Sequence, residues 1–191
     1  MKKAWIGVIL ILALLLAGCG EQDLHPDWPE EWTRFGNLLA VETPEGFALG
    51  EYNDALSPDG IWYVMFNSGD EPMTLSRGED EELLYYDAQI FLVLKECDSE
   101  EQALANVRDW EKREAEHYEL GESRELDAAG QRFTCYPLLS SGDDNPYSRG
   151  AAAFAVRGSL AISVECMCTA DFADDPQLIA EQFLSGFHYG E

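Results

Sequence analysis

The chain has 191 residues with 37 Asp+Glu against 12 Lys+Arg, a formal charge of −25. Such a surface repels phosphate backbones and anionic head groups, which excludes nucleic acid as a partner class. The 46% hydrophobic and 12% aromatic content separates it from disordered chains, and the length suits one domain with a substantial core.

The N-terminus reads MKKAWIGVILILALLLAGCG. Lys2 and Lys3 precede an apolar run from Ala4 to Ala17, the layout of a secretory signal peptide over residues 1–18. That run is shorter than the ~20 residues a bilayer-spanning helix needs. Leu16-Ala17-Gly18-Cys19 resembles the lipobox of bacterial lipoproteins. The resemblance implies that Cys19 takes a diacylglyceryl thioether, becomes the new N-terminus, and holds the protein on the extracytoplasmic face of the cell membrane. One acyl chain binds a membrane marginally, whereas two anchor it stably. Cleavage takes two lysines and no acid from the totals, leaving 10 Lys+Arg against 37 Asp+Glu and a formal charge of −27. The lipid, and not a basic face, is therefore the expected membrane contact.

Residues 20–35, GEQDLHPDWPEEWTRF, are acidic, carry two prolines and lack periodicity. With Cys19 they read as a lipidated tether over 19–35, with Trp28 and Trp32 packing back onto a single domain over 36–191. Leu39 to Val41 predicts a first strand, Pro44-Glu45-Gly46 punctuates, and Phe47 to Leu49 resumes. NDALSPDG at 53–60 is turn chemistry, and GIWYVMFNSG at 60–69 has the aromatic and branched content of a strand. Residues 68–82 read as an acidic excursion. AQIFLVLK at 88–95, the most apolar run after the leader, predicts a central strand covered on both faces.

Ser99 and Gln102 form a capping box for a helix. Leu104, Val107, Trp110 and Tyr118 share one side of it at helical spacing, with Gly121 as the stop. SRELDAAGQRFTCYPLL predicts two strands joined at Ala128-Ala129-Gly130, and SSGDDNPYSRG a polar loop. AAAFAVRGSLAISVECMCT predicts a hairpin turning at Arg157-Gly158-Ser159. A last helix has Asp175 as N-cap, Pro176 at its first position, Gly186 near its end, and Leu178, Ile179 and Phe183 on its buried face.

Strands that follow one another without intervening helices imply an antiparallel sheet, here with two main helices packed on it, an α+β domain. VETPEGFAL at 41–49, the join of strand to long helix over 88–118, and the ending LIAEQFLSGFHY at 178–189 resemble the PsbP-like fold. That resemblance implies an α/β/α sandwich over most of 36–189. It goes with varied accessory and binding roles, so it implies little about chemistry.

With Cys19 assigned to lipid, Cys97, Cys135, Cys166 and Cys168 remain, enough for two disulfides in three possible connectivities. Cys166 and Cys168 share one face of a strand at about 6.6 Å, near the upper limit for a bridge, so they do not pair with each other. Each looks to Cys97 or Cys135, or stays a free buried thiol. The rival is a soft-metal site such as one for Cu(I), although Met167 points to the opposite face. The chain holds no His-Glu-x-x-His, Gly-x-Ser-x-Gly, Cys-x-x-Cys or phosphate loop after a strand, and His25, His117 and His188 are scattered. Acid pairs are too common to be informative. Asp143, Asp144 and Asn145 offer oxygen ligands of the kind calcium prefers, without EF-hand spacing, and read as a solvated turn. Trp62, with Asp143 and Asp144, is the candidate binding surface.

The expectation is a lipid-anchored, extracytoplasmic binding or accessory module of the bacterial cell envelope. It would meet another envelope protein or ligand, with no cofactor and no catalysis expected. The alternatives are a hydrolase of envelope or extracellular polymer using carboxylates, and soft-metal binding through Cys166 and Cys168.

Overall fold

The computed structural model describes residues 28–53, 57–69, 71–76, 82–140 and 145–190. Cys19, Asp143 and Asp144 lie outside the described residues. An eight-stranded antiparallel sheet dominates the molecule. Its strands are β3 (Phe47–Tyr52), β4 (Ile61–Ser68), β7 (Ala88–Glu96), β8 (Tyr118–Leu120), β9 (Arg124–Ala128), β10 (Gln131–Ser140), β11 (Arg149–Arg157) and β12 (Leu160–Cys168). The order is β3-β4-β7-β12-β11-β10-β8, with β9 sharing the β10 edge. β1 (Thr33–Phe35), β2 (Leu39–Val41) and β13 (Phe187–Tyr189) make a second sheet, and β5 (Met73–Ser76) pairs with β6 (Glu82–Tyr85). The helices are α1 (Glu100–His117) and α2 (Pro176–Ser185). No helix among the described residues is long and apolar enough to cross a membrane.

Local chemistry sets most boundaries. Ser99 caps α1 by accepting from Gln102 N at 3.2 Å, while the Gln102 side-chain Oε1 accepts from Asp98 N at 2.8 Å, one residue beyond the expected box partner. Asp175 caps α2 by accepting from Gln177 N at 2.9 Å, with Pro176 in the first position and Gly186 at the C-cap. Ala129 and Gly130 both have positive φ, 49° and 72°, the pattern of the two-residue turn that matches strand twist between β9 and β10. Gly121 lies so close to β10 that a Cβ there would meet Pro137 Cγ at 2.8 Å.

The two faces of the main sheet are covered differently. One face carries Trp62, Val64 and Phe66 of β4, Ile90, Leu92 and Leu94 of β7, and Ile162, Val164, Cys166 and Cys168 of β12. It packs beneath α2 and the small sheet through Phe35, Leu39, Val41, Ile179, Phe183, Leu184 and Phe187. The opposite face packs Ala152, Phe154, Ala161 and Met167 against Ala103 and Val107 of α1.

Several expectations change here. The stretch read as tether contributes β1, with Thr33↔Val41 and Phe35↔Leu39 in register and Phe35 fully buried. Trp32 packs on the domain as expected, stacked on His188 at 3.9 Å between ring centroids. The excursion at 68–82 contains β5 and reaches β6. β7 is buried on one face and only half-buried on the other, because α1 lies over β11, β12 and β8 instead. α1 ends at Tyr118, whose backbone turns extended and starts β8, not at Gly121. Leu104 and Leu178 are exposed. Ala103 faces the sheet in place of Leu104, and Ala180 and Leu184 join Ile179 and Phe183 on the α2 interface.

Candidate functional site

A groove of about 470 Å³ lies between the β2–β3 connection and α2. Glu42, Thr43, Pro44 and Glu45 form one wall, Asp174 and Asp175 stand at the mouth, and Phe47, Leu178, Ile179 and Phe183 supply apolar surface. Four of the lining residues are acids and none is Lys or Arg. Glu42 is held in place on two sides. Its backbone N donates to Gly186 O at 3.2 Å, and its carboxylate pairs with His188 Nε2 at 2.8 Å, the ring that stacks on Trp32. Asp175 is committed to the α2 cap, which leaves Glu45 and Asp174 as the acids whose charge is most available to a ligand. Leu178, exposed at 55%, completes a surface that combines apolar contact with negative potential. Such a surface recognises a cationic group carried on an apolar body.

A second polar cluster lies between α1 and the sheet. The carboxyl groups of Glu114 and Glu165 hydrogen-bond to each other, so one of them carries the bridging proton. Burial raises both, Glu165 to about 8, where the neighbouring Glu114 adds to the effect. His117 and Arg113 oppose the rise at Glu114. Tyr118, raised by burial, has its hydroxyl hydrogen-bonded to Asn145 Nδ2 at 3.2 Å. Asn145 Oδ1 accepts from Tyr147 N at 3.0 Å, and the Tyr147 hydroxyl donates to Gln89. Gln89 Nε2 donates in turn to Asn67 Oδ1 at 2.7 Å. Burial pushes the Tyr147 phenol up to about 12. These groups satisfy one another across α1, β4, β7, β12 and the segment before β11. The two carboxyls are in mutual contact, whereas carboxylate pairs that flank a scissile sugar bond stand about 5 Å or more apart. Their arrangement does not favour the hydrolase alternative.

The four domain cysteines are free thiols, which corrects the expected disulfides, and the sheet register gives the reason for two of them. Cys135 on β10 sits opposite Ala153, and Cys166 on β12 sits opposite Ala151, so a whole strand, β11, separates them. At ~4.8 Å per strand spacing, that places their backbones beyond disulfide reach. Cys97 belongs to the cluster on the opposite face, packed near α1. Cys166 and Cys168 share the buried face as expected, and Met167 points the other way. The neighbouring Cys166 thiol lowers Cys168, helped by the Arg149 guanidinium and opposed by burial, whereas Cys168 and burial raise Cys166. No cluster of three or more His, Cys, Asp or Glu among the described residues is arranged to hold a metal ion.

Trp62 is not a binding surface. It is 8% exposed, its Nε1 donates to Glu96 Oε1 at 3.1 Å, and its ring meets Phe35 edge-on. On the sequence it was indistinguishable from a groove aromatic, because the strand that covers it, β1, lay in the presumed tether.

With this geometry in view, likenesses to known proteins are weak. No protein-family model matches the chain, and no curated protein matches it. It is similar to the solution structure of cyanobacterial PsbP (CyanoP) from Synechocystis sp. PCC 6803 at 15% identity and a TM-score of 0.49, over 92% of this chain and 99% of that one. It is also similar to a crystal structure from Bacteroides thetaiotaomicron VPI-5482 at 8% identity and a TM-score of 0.39, over 81% of this chain and 46% of that one. Neither likeness speaks to activity.

The groove and the carboxyl pair were both missed in the sequence, for different reasons. Glu165 had a signal: it is the one charge within ISVECMC, a strand otherwise apolar or small, and a carboxyl in such a run must find a partner or a proton. The groove had none. Its walls come from residues 42–47 and 174–186, which nothing local connects.

Proposed function

We propose that this chain is a lipid-anchored, extracytoplasmic binding or accessory module of the bacterial cell envelope, which engages a basic segment of a partner protein in the groove between the β2–β3 connection and α2. The observation that carries the reading is the lining of that groove, with four acids, no base and exposed Leu178 over an apolar floor. A lysine or arginine reaching Glu45 and Asp174 while its neighbours cover Leu178 and Phe47 would satisfy both kinds of surface. The lipobox-like Leu16–Cys19 supports the anchor, and the formal charge of the cleaved chain supports a basic partner.

A fluorescent peptide of alternating lysine and leucine is the probe. It should bind the full chain with an affinity that falls as salt rises, and a glutamate–leucine counterpart should not bind. The double variant Glu45→Gln, Asp174→Asn should weaken binding at least tenfold while leaving thermal unfolding unchanged, since neither side chain caps α2 or pairs with His188. Equal binding by the variant, or by both peptides, would refute the groove as the site. The anchor is tested separately. Cys19→Ser should leave the membrane fraction or remain unprocessed, and a cleaved variant that still sediments with membranes would refute lipidation.

A further inference from the structure

The two edges of the main sheet are finished differently. Beside β10, the edge strand β9 carries Arg124, Glu125 and Asp127, and all three charges are engaged: Arg124 with Glu181, Asp127 with Arg132, and Glu125 with the Thr134 hydroxyl. Charges along a short edge strand blunt it against further pairing. The opposite edge, β3, reads FALGEY and has β4 as its one strand neighbour among the described residues. Every second backbone N–H and C=O of such a strand points away from the sheet, where no ladder partner stands.

The side chains of β3 are open as well, Leu49 at 44% and Tyr52 at 43% exposure. Phe47 and Leu49 stand opposite Ser68 and Phe66 of β4, on the α2 side of the sheet, and Phe47 also lines the acidic groove. The apolar surface of the groove thus continues along the edge strand. Glu51 lies on the other side, where its carboxylate accepts from the Tyr63 hydroxyl at 2.9 Å. Charge decides the occupant. Residues 35–76 hold seven acids and no lysine or arginine. A second copy pairing edge to edge would set like charges together, whereas a basic segment would neutralise them.

We propose that the partner's basic segment binds as an added β-strand along β3, with apolar residues beside Phe47 and Leu49 and basic residues towards Glu45 and Glu51. Strand addition rests on the acidic groove being the docking site, and it further requires the segment to be extended and hydrogen-bonded through its backbone. The register of β3 on β4 shifts between Leu49 and Tyr52, so the regular edge is short and the new backbone bonds fall at residues 47–49.

The test uses the full chain and the lysine–leucine peptide in two N-methylated forms, one methylated on every second amide and the other on the alternate set. In an added strand only one set faces β3. One form should therefore bind at least tenfold more weakly than the parent peptide, and the other should match it. Equal affinity of the two forms would overturn strand addition. Hydrogen exchange of β3 amides should slow at least tenfold on binding while that of β9 stays unchanged, and unchanged exchange in β3 would overturn it too. Leu49→Lys should weaken the peptide at least tenfold. Leu139→Lys, at a comparably exposed leucine on β10, should leave affinity unchanged, and equal affinity of both variants would remove β3 from the site. Groove and strand fail separately. Binding that is weakened by Glu45→Gln, Asp174→Asn but shows neither the N-methyl difference nor β3 protection keeps the groove and removes the strand, while no binding of the parent peptide removes both. Slowed β3 exchange at rising protein concentration without peptide would make a second copy the occupant and overturn the proposal.

Discussion

The two faces of the main sheet were built to different rules. Beneath α2 and the small sheet, aromatic rings meet edge to face, with Phe183 5.5 Å from Phe66 and 5.2 Å from Phe187 between centroids. Among the described buried side-chain polar atoms there, the Tyr189 hydroxyl has no hydrogen-bond partner. On the α1 side, by contrast, the sheet presents Glu165 and Gln89, and polarity is satisfied by a network that reaches from Asn67 to Tyr118. The difference teaches that one face holds the fold by excluding water, while the other holds α1 partly through a shared proton whose presence depends on pH.

Truncation in the apolar face should be the most damaging change. Phe183→Ala, at 2% exposure, should cost about 3–5 kcal/mol in urea unfolding. Val107→Ala under α1 removes less volume from a more open contact and should cost roughly 1–2 kcal/mol. A reversed order would dissolve the distinction between the faces. The next effect is in pH. Glu165 is held above its ordinary range, to about 8, so its protonated form is favoured in the folded state. The resulting stability is complete below the ordinary carboxylate range and is lost as pH rises through about 8. Glu165→Gln keeps a neutral hydrogen-bonding group there. The melting temperature of the variant should be flatter between about pH 5 and 9 than that of the parent, and parallel curves would show that the pair does not share a proton. The smallest effect should come from Tyr189→Phe. Removing a buried hydroxyl without a partner should leave stability unchanged or raise it by about 1 kcal/mol, and a clear loss would mean that the phenol has a partner.

How much could be read in advance depended on the range of the interaction. Capping is local, so Ser99 and Asp175 were legible. Turn chemistry is local, so the hairpins at Ala128–Gly130 and Arg157–Ser159 were legible too. The shared inward face of Ile162, Val164, Cys166 and Cys168 followed from a period of two. Helix faces were half legible: Val107 faces the sheet as read, whereas Leu104 and Leu178 stay in solvent. Hydrophobicity says that a side chain prefers burial and does not say whether a neighbour comes to bury it.

By itself the sequence determined the acidic charge, the antiparallel α+β class and the caps and turns. Each of these rests on residues within a few positions of one another. Tertiary structure alone decided that residues 33–35 join the fold and cover Trp62, and that Glu114 and Glu165 meet across 51 positions. It also decided that Cys97, Cys135, Cys166 and Cys168 stay unpaired and that acids near residues 42 and 175 share one groove. The physical reason is that these contacts are selected by packing whole elements together, and the loss of chain entropy on joining distant segments is repaid only by the complete core.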